Sequence, residues 1–559
     1  MQMRISKIFY ILIFAIITNS CGLEKMATKY ETVGITTTPP ILETHGGKIN
    51  LSLKISFPQK YFAKKATIIL TPVLVYKGGE TAFKTITVQG EEASGGESTI
   101  FKAQGGDVSY EDHINYNPNM MNANLELRTI AKIKDKEKIF SPKTIAKGVI
   151  ATSTRVENNE KLANNNHRYE HETILKETAT IYFLVNQAKI RMTEKSDADI
   201  KKIKEFVKKG YKTHSIEIKS FASPEGNVST NNDVSDNRMK STVKYTKQFL
   251  RSLKVDGAAN NDLYKETSVG EDWKGFKSLI TKSNIKDKQR INRIVNSISD
   301  VNQREQQIRE LAEIYTAIED NVLPQLRKAT IVIRSYEPKK TDQEISSLAT
   351  TSPELLNVEE LLFAATLTDD QETKRNIYNN VVKLYNDWRG YNNIACIYLS
   401  NGDLENANTY LDKAIEIGVP QNGMNNISTN RGIIASRKGK ITLAQELFNK
   451  ATPNQHNQAI LDIRKGEYAK AARFFKNRKS HNAALAQLLN GKNNKKCNEA
   501  TASCHYLNAI ISIRSAKNND AINNLKKAIA IDPSYKTEAA IDLEFITLRK
   551  EEIFINLTK

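Results

Sequence analysis

The sequence predicts a multidomain protein with an N-terminal all-β sandwich, a central α/β domain carrying a helical insertion, and a C-terminal α-solenoid. Three observations carry this expectation. Ile49 to Phe57 alternates apolar and polar residues with period two, the pattern of a half-buried strand. Between Ile181 and Leu250, strand-like and helical stretches alternate. From Tyr391 onward, small and large apolar residues recur at helical spacing several times over.

The chain has 559 residues, enough for three or four domains and several independent cores. Only 4 cysteines exclude a disulfide-dense scaffold. With 26% charged and 39% hydrophobic residues, wholesale disorder is excluded too. Lys and Arg number 82 against 63 Asp and Glu, a net charge of +19.

Residues 1–20 read as a leader. Arg4 and Lys7 precede an apolar run, Ile8 to Ile17, which as a helix spans about 15 Å, half a bilayer core. Thr18-Asn19-Ser20-Cys21 follows and resembles the lipobox of bacterial lipoproteins, with Thr18 where Leu is usual. The resemblance implies cleavage before Cys21 and acylation of Cys21, the chain's only expected fixed membrane attachment. Losing Arg4 and Lys7 leaves +17. For an exported chain this points to acidic proteins, anionic wall polymers or lipid headgroups rather than nucleic acid.

Residues 21–175 are expected to form the β-sandwich domain plus a linker. Ala66 to Tyr76 is a second β-rich run closed by Lys-Gly-Gly, and Ala123 to Ile133 and Thr144 to Thr152 continue the pattern. The linker holds His167-Arg168-Tyr169-Glu170-His171, an H-x-x-E-H match. On a helix this spacing sets two imidazoles one turn apart beside a carboxylate, as inverted zinc metalloproteases require. It follows Asn164-Asn165-Asn166, so a solvated linker is expected, with a zinc hydrolase using His167, Glu170 and His171 as the remote alternative.

Residues 176–337 read as strand, helix, strand, helix: Ile181 to Asn186, Ala198 to Lys209, Ser215 to Phe221, and a helix running towards Leu250. Phe183, Asn186, Gly226, Asn231, Ser235 and Arg238 fall in register with the motifs of the OmpA-like peptidoglycan-associated domain, which this region resembles. A helical insertion, 273–321, precedes a closing strand expected in Leu323 to Ile333. The insertion and the Ala-Ser-Pro-Glu-Gly turn resemble OmpA-like domains of Bacteroidota envelope proteins. In that family an Asp and an Arg clamp the diaminopimelate of the wall peptide. The resemblance implies peptidoglycan-contacting roles for Arg238, Asn231, Ser223 and Glu225. Ser223 stands where the family has Asp, and Glu225 is the carboxylate two residues on. A domain retained only for protein interaction is the other reading.

After a linker at 338–351, residues 352–559 resemble tetratricopeptide repeats. Tyr391, Ile394, Ala395, Tyr398, Gly402, Ala407, Leu411 and Ala414 fit the repeat, and Ala444, Ala471 and Ala521 mark later units. Five or six units are expected, with Val358 to Trp388 first and a poor one at 483–503. Residues 431–480 hold 12 Lys or Arg against 3 Asp or Glu, which predicts an acidic partner surface for these units. Cys497 and Cys504, seven apart, suggest a disulfide tying adjacent helices, and Cys396 reads as a buried small hydrophobe.

No nucleophile–base pair or phosphate loop emerges, and no cofactor or metal is expected. The expected protein is a non-enzymatic, lipid-anchored outer-membrane lipoprotein. It would scaffold or tether an envelope complex of secretion or outer-membrane assembly, with protein partners on the repeats and peptidoglycan contacted through the OmpA-like domain. The alternative is a structural wall-binding protein linking outer membrane to peptidoglycan. Cys21-Gly22-Leu23-Glu24-Lys25 lacks the acidic run of surface-exported lipoproteins, which favours the periplasmic face.

Overall fold

The computed structural model describes residues 22–559, so the leader and Cys21 lie outside the described residues. The chain forms two compact units. One holds the described residues up to Asn166 together with Tyr378–Lys559, and the other is His167–Ile377. No helix among the described residues is long and apolar enough to cross a membrane.

The first unit begins β-rich. Lys48–Phe57 pairs with Gly34–Thr38, Leu42–His45 and Gly106–Asn115 in one sheet. Thr67–Tyr76 and Asn124–Ile133 centre a second, seven-stranded sheet. Period-two alternation sends Ile49, Leu51, Leu53 and Ile55 from one sheet, and Ile68, Leu70, Leu125 and Leu127 from the other, into one shared core.

The same unit holds most of the helical repeats. Trp388–Ser400 pairs with Leu404–Glu416, Met424–Arg437 with Ile441–Lys450, Gln455–Lys465 with Tyr468–Phe474, and Ala502–Arg514 with Asn518–Ile531. Ala407, Ala444, Ala471 and Ala521 are fully buried, because only a small side chain lets the paired backbones approach. A Cβ on Gly432 would fall 2.5 Å from the Phe448 ring, so glycine is required there. The poor unit expected at 483–503 has one helix, His481–Leu489, and then a loop in place of its partner.

The second unit is built on a four-stranded sheet in the order Ile174–Tyr182, Lys328–Tyr336, Thr213–Ala222, Tyr264–Glu271. Helices Ala198–Lys208 and Val228–Ser252 contribute Ile200, Ile203, Phe206 and Leu250 to the core over it. The insertion forms four helices with a core of their own around Phe276, Ile280, Ile291, Ile308 and Ile318. Three local expectations are corrected. The first strand starts at Ile174 and ends at Tyr182, because Asn186 takes a left-handed φ of 52° and turns the chain. The closing strand is Lys328–Tyr336, since Leu323-Pro324 opens a helical turn, Leu323–Leu326. Residues 338–351 are not a plain linker. Thr341 and Glu344 form a capping box that starts helix Asp342–Thr351.

Candidate functional site

Residues 155–166, expected as part of a solvated linker, run extended along the helical repeats of the first unit. A strand outside any sheet must find partners for its N–H and C=O groups. An Asn side chain, with one acceptor oxygen and an NH2 donor, can satisfy both groups of one residue. Four repeat helices supply such an Asn. Asn482 accepts from Glu157 N–H at 2.9 Å and donates to its carbonyl at 2.9 Å. Asn457 does the same for Lys161 at 2.7 and 2.9 Å, and Asn430 for Ala163 at 2.9 and 3.0 Å. Asn393 completes the series on Asn165 at 2.7 and 3.0 Å. The residues held are 157, 161, 163 and 165, the alternate positions of an extended chain. At the missing step His456 Nε2 lies 2.9 Å from the carbonyl of Asn159.

Side chains fix the register of this strap. The Glu160 side chain is 1% exposed, and its carboxylate meets Arg437 at 2.8 Å and Arg464 at 2.7 Å. Burial acts to raise its pKa, but Arg464 and Arg437 outweigh burial and hold the carboxyl below its ordinary value. Leu162 packs among the apolar side chains of the first repeats, and Val156 among those of the last. At one end the Arg155 guanidinium sits 4.2 Å from the Tyr506 ring and pairs with Glu538 and Asp542 at 2.7 and 2.8 Å. Beyond it the β-rich part contacts the repeats directly. His45 Nδ1 lies 3.0 Å from the Tyr468 hydroxyl, and Arg514 lies 3.4 Å from Glu43.

Sequence reasoning did not find these asparagines, although a signal exists. Asn393, Asn430 and Asn457 each stand fourteen residues before Ala407, Ala444 and Ala471, so they share the unequal repeat spacing of the packing alanines.

The residues expected from resemblance to contact peptidoglycan lie in the second unit, and their geometry is internal. Arg238 is 1% exposed and donates to the carbonyls of Gln187, Phe221 and Leu184 at 3.0, 2.9 and 3.1 Å. Burial, with Arg327 adding repulsion, pushes its guanidinium down to about 10. Glu225 takes a bidentate pair from Arg327 at 2.8 and 3.0 Å and accepts from Ser223. Asn231 donates to the Glu225 carbonyl and to Glu271. Glu305, from the insertion, accepts the Gly226 N–H. Ser223, Glu225 and Asn231 share the bonding of one turn, while Arg238 is held by carbonyls of the first-strand loop and of Phe221. Three of the Arg238 N–H groups thus meet carbonyls of the chain itself.

The H-x-x-E-H segment, expected as part of a solvated linker, packs instead around one aromatic ring. Residues 167–170 form no helix, so the one-turn geometry the motif needs is absent. The Tyr169 ring stacks on Phe363 at 4.7 Å, and His167 and His171 stand edgewise to the same ring at 5.0 Å each. Among the described residues, no group of three His, Cys, Asp or Glu is placed to hold a metal.

A tetratricopeptide repeat family model matches residues 389–417, the pair Trp388–Ser400 and Leu404–Glu416. That pair is a tetratricopeptide repeat, and the other C-terminal helical pairs resemble it. No curated protein matches the chain. Among solved structures, a tetratricopeptide repeat protein from Parabacteroides merdae is 17% identical, with 39% of this chain and 90% of that one covered and a TM-score of 0.28. YrrB, described as a TPR protein with an unusual peptide-binding site, is 14% identical over 34% of this chain and 94% of its own, at a TM-score of 0.20. The Cut9–Hcn1 hetero-tetramer of the APC/C is 12% identical, with 66% and 56% covered and a TM-score of 0.22.

Within these tetratricopeptide repeats, the basic run 431–480 is partly matched by the chain itself. Arg437 and Arg464 are engaged by Glu160, Arg431 by Asp412, Lys438 by Glu405, and Lys465 and Lys470 by Glu467. Cys497 and Cys504 are bonded, with Cα atoms 5.9 Å apart. The bridge does not join two helices: Cys497 lies in the loop that replaces a repeat helix, and Cys504 opens helix Ala502–Arg514. Asn508 holds Cys497 N–H and C=O at 3.0 Å each, the same grip that the other asparagines apply to the strap. Cys396 is buried, and burial pushes its thiol up to about 12 despite a hydrogen bond from Asn430.

Proposed function

We propose that the protein is a non-enzymatic scaffold of an envelope protein complex, anchored to the outer membrane through acylated Cys21. The observation that carries the scaffold reading is the filled repeat groove. Tetratricopeptide repeats present surfaces to protein partners. Here the chain's own residues 155–166 occupy one such surface and tie it to the β-rich part, which leaves the outer faces of the repeats for partners. The leader and Cys21 motif support the lipid anchor, and the central domain's sequence resemblance supports an envelope location on the periplasmic face. Secretion or outer-membrane assembly machinery is the class of complex that fits these parts. A structural wall-binding protein linking outer membrane to peptidoglycan is the second reading, supported by the central domain's sequence resemblance.

The test is affinity isolation of the full chain from detergent-solubilised membranes, with quantitative mass spectrometry of co-purifying proteins. Envelope proteins recovered in near-stoichiometric amounts, together with release of the Cys21→Ala variant from the membrane fraction, are expected. A chain that purifies alone removes the scaffold, and a Cys21→Ala variant that stays in the membrane removes the anchor.

A further inference from the structure

The tetratricopeptide repeats carry a second surface that the strap does not fill. A cleft of about 610 Å3 opens between the end of helix Ile441–Lys450, the start of Gln455–Lys465 and the end of Tyr468–Phe474. That volume lies within the range of ligand-binding clefts, about 300–1,000 Å3. Phe448, Ala451, Pro453 and Phe474 supply its apolar lining. Its polar lining includes Arg473, Lys470 and Asp462, and Asp462 is only 7% exposed and hydrogen-bonded to Gln458.

The charge around this cleft is one-sided. Once the pairs within the basic run are made, Lys450, Arg473, Lys476 and Lys479 have no carboxylate partner among the described residues, and all four are exposed. Lys450 adjoins the lining residues Asn449 and Ala451, Arg473 lines the cleft, and Lys476 and Lys479 follow within six residues of Arg473. Solvated cations beside an apolar recess favour a ligand that brings both carboxylates and one large apolar side chain. The buried Asp462 disfavours a carboxylate inside the recess, which assigns the apolar group to the interior and the acids to the rim.

We propose that this cleft docks an acidic peptide segment of a partner protein. One phenylalanine of the segment sits between Phe448 and Phe474, and its flanking carboxylates meet Lys450, Arg473, Lys476 and Lys479. The proposal rests on the scaffold reading and names the chemistry of one partner contact.

The experiment uses the full chain in detergent and a fluorescein-labelled synthetic peptide of Asp and Glu around a single Phe, followed by fluorescence anisotropy. Saturable binding that weakens with added salt is expected. Arg473→Glu and Lys450→Glu should each weaken it about tenfold. Thr452→Trp, at an exposed position on the cleft mouth, should abolish it, while the distant Lys495→Glu should leave it unchanged. Replacing the peptide's Phe by Ala should also cost about tenfold. The proposal is overturned by absence of saturable binding, by equal binding of the Phe-free peptide, or by equal loss in Lys495→Glu. If it is overturned while affinity isolation still recovers partners, the scaffold reading stands and the cleft is not the contact.

Discussion

Glu160 lies between two guanidinium groups, and its own side chain is 1% exposed, so removing its charge leaves both arginines without their carboxylate. Glu160→Ala should destabilise the first unit by about 3–5 kcal/mol, the cost of breaking a buried pair, read from denaturant midpoints. The sign with pH follows from the lowered carboxyl. Its stabilisation is complete above the ordinary Glu value of about 4.3 and is lost as pH falls through the lower folded value. Glu160→Gln should therefore flatten the acid limb of the stability curve; an unchanged limb would mean other carboxylates dominate it. Asn430, fully buried, is the second residue with a large expected effect. Asn430→Ala leaves the Ala163 N–H without its acceptor and should cost about 1–3 kcal/mol. Cys396, with its thiol raised to about 12, should resist alkylation in the folded chain and react only after denaturation, as peptide mapping will report.

At the scale of elements, the strap is held at alternate residues. The amides of Glu157, Lys161, Ala163 and Asn165 donate to asparagine side chains, whereas those between them have no such acceptor. Residue-resolved hydrogen exchange should show slow amides at 157, 161, 163 and 165 and fast ones at 158–160, 162 and 164; uniformly fast exchange would mean that the strap leaves the groove. The repeat helices were legible beforehand because their packing needs a small residue at fixed steps, and Ala407, Ala444 and Ala471 are those residues. The strand at 48–57 was legible from its alternation of apolar and polar residues, and that at 67–76 from its β-rich run closed by Lys-Gly-Gly. The strap was not, because it uses neither pattern. Its Asn-rich composition resembles that of an open linker, and its partners lie hundreds of residues away on four helices. The poor unit at 483–503 is poor for a visible reason: a disulfide and Asn508 hold a loop where a helix would pack.

At the scale of the whole molecule, the first unit is discontinuous in sequence, with His167–Ile377 set between its two parts as a separate unit. Residues 378–559 expressed alone should be destabilised, since four buried asparagines and two arginines lose their partners. A synthetic peptide of residues 151–166 should raise their melting temperature by an amount that grows with peptide concentration, and no rise would mean that the strap contributes nothing to the repeats. The sequence by itself determined the β-rich start and the repeats, because each rests on a short-range period that burial of one face enforces. It also disclosed the basic excess at 431–480. Tertiary structure alone decided how that excess divides: Arg437 and Arg464 turn inward to Glu160, while Lys450, Arg473, Lys476 and Lys479 stay in solvent. It likewise turned Arg238 onto three carbonyls, Glu225 onto Arg327, and the H-x-x-E-H segment away from a helix. The physical reason is the same in each case. A charged or hydrogen-bonding side chain is assigned by whichever group meets it in space, and for these residues that group lies far off in the chain.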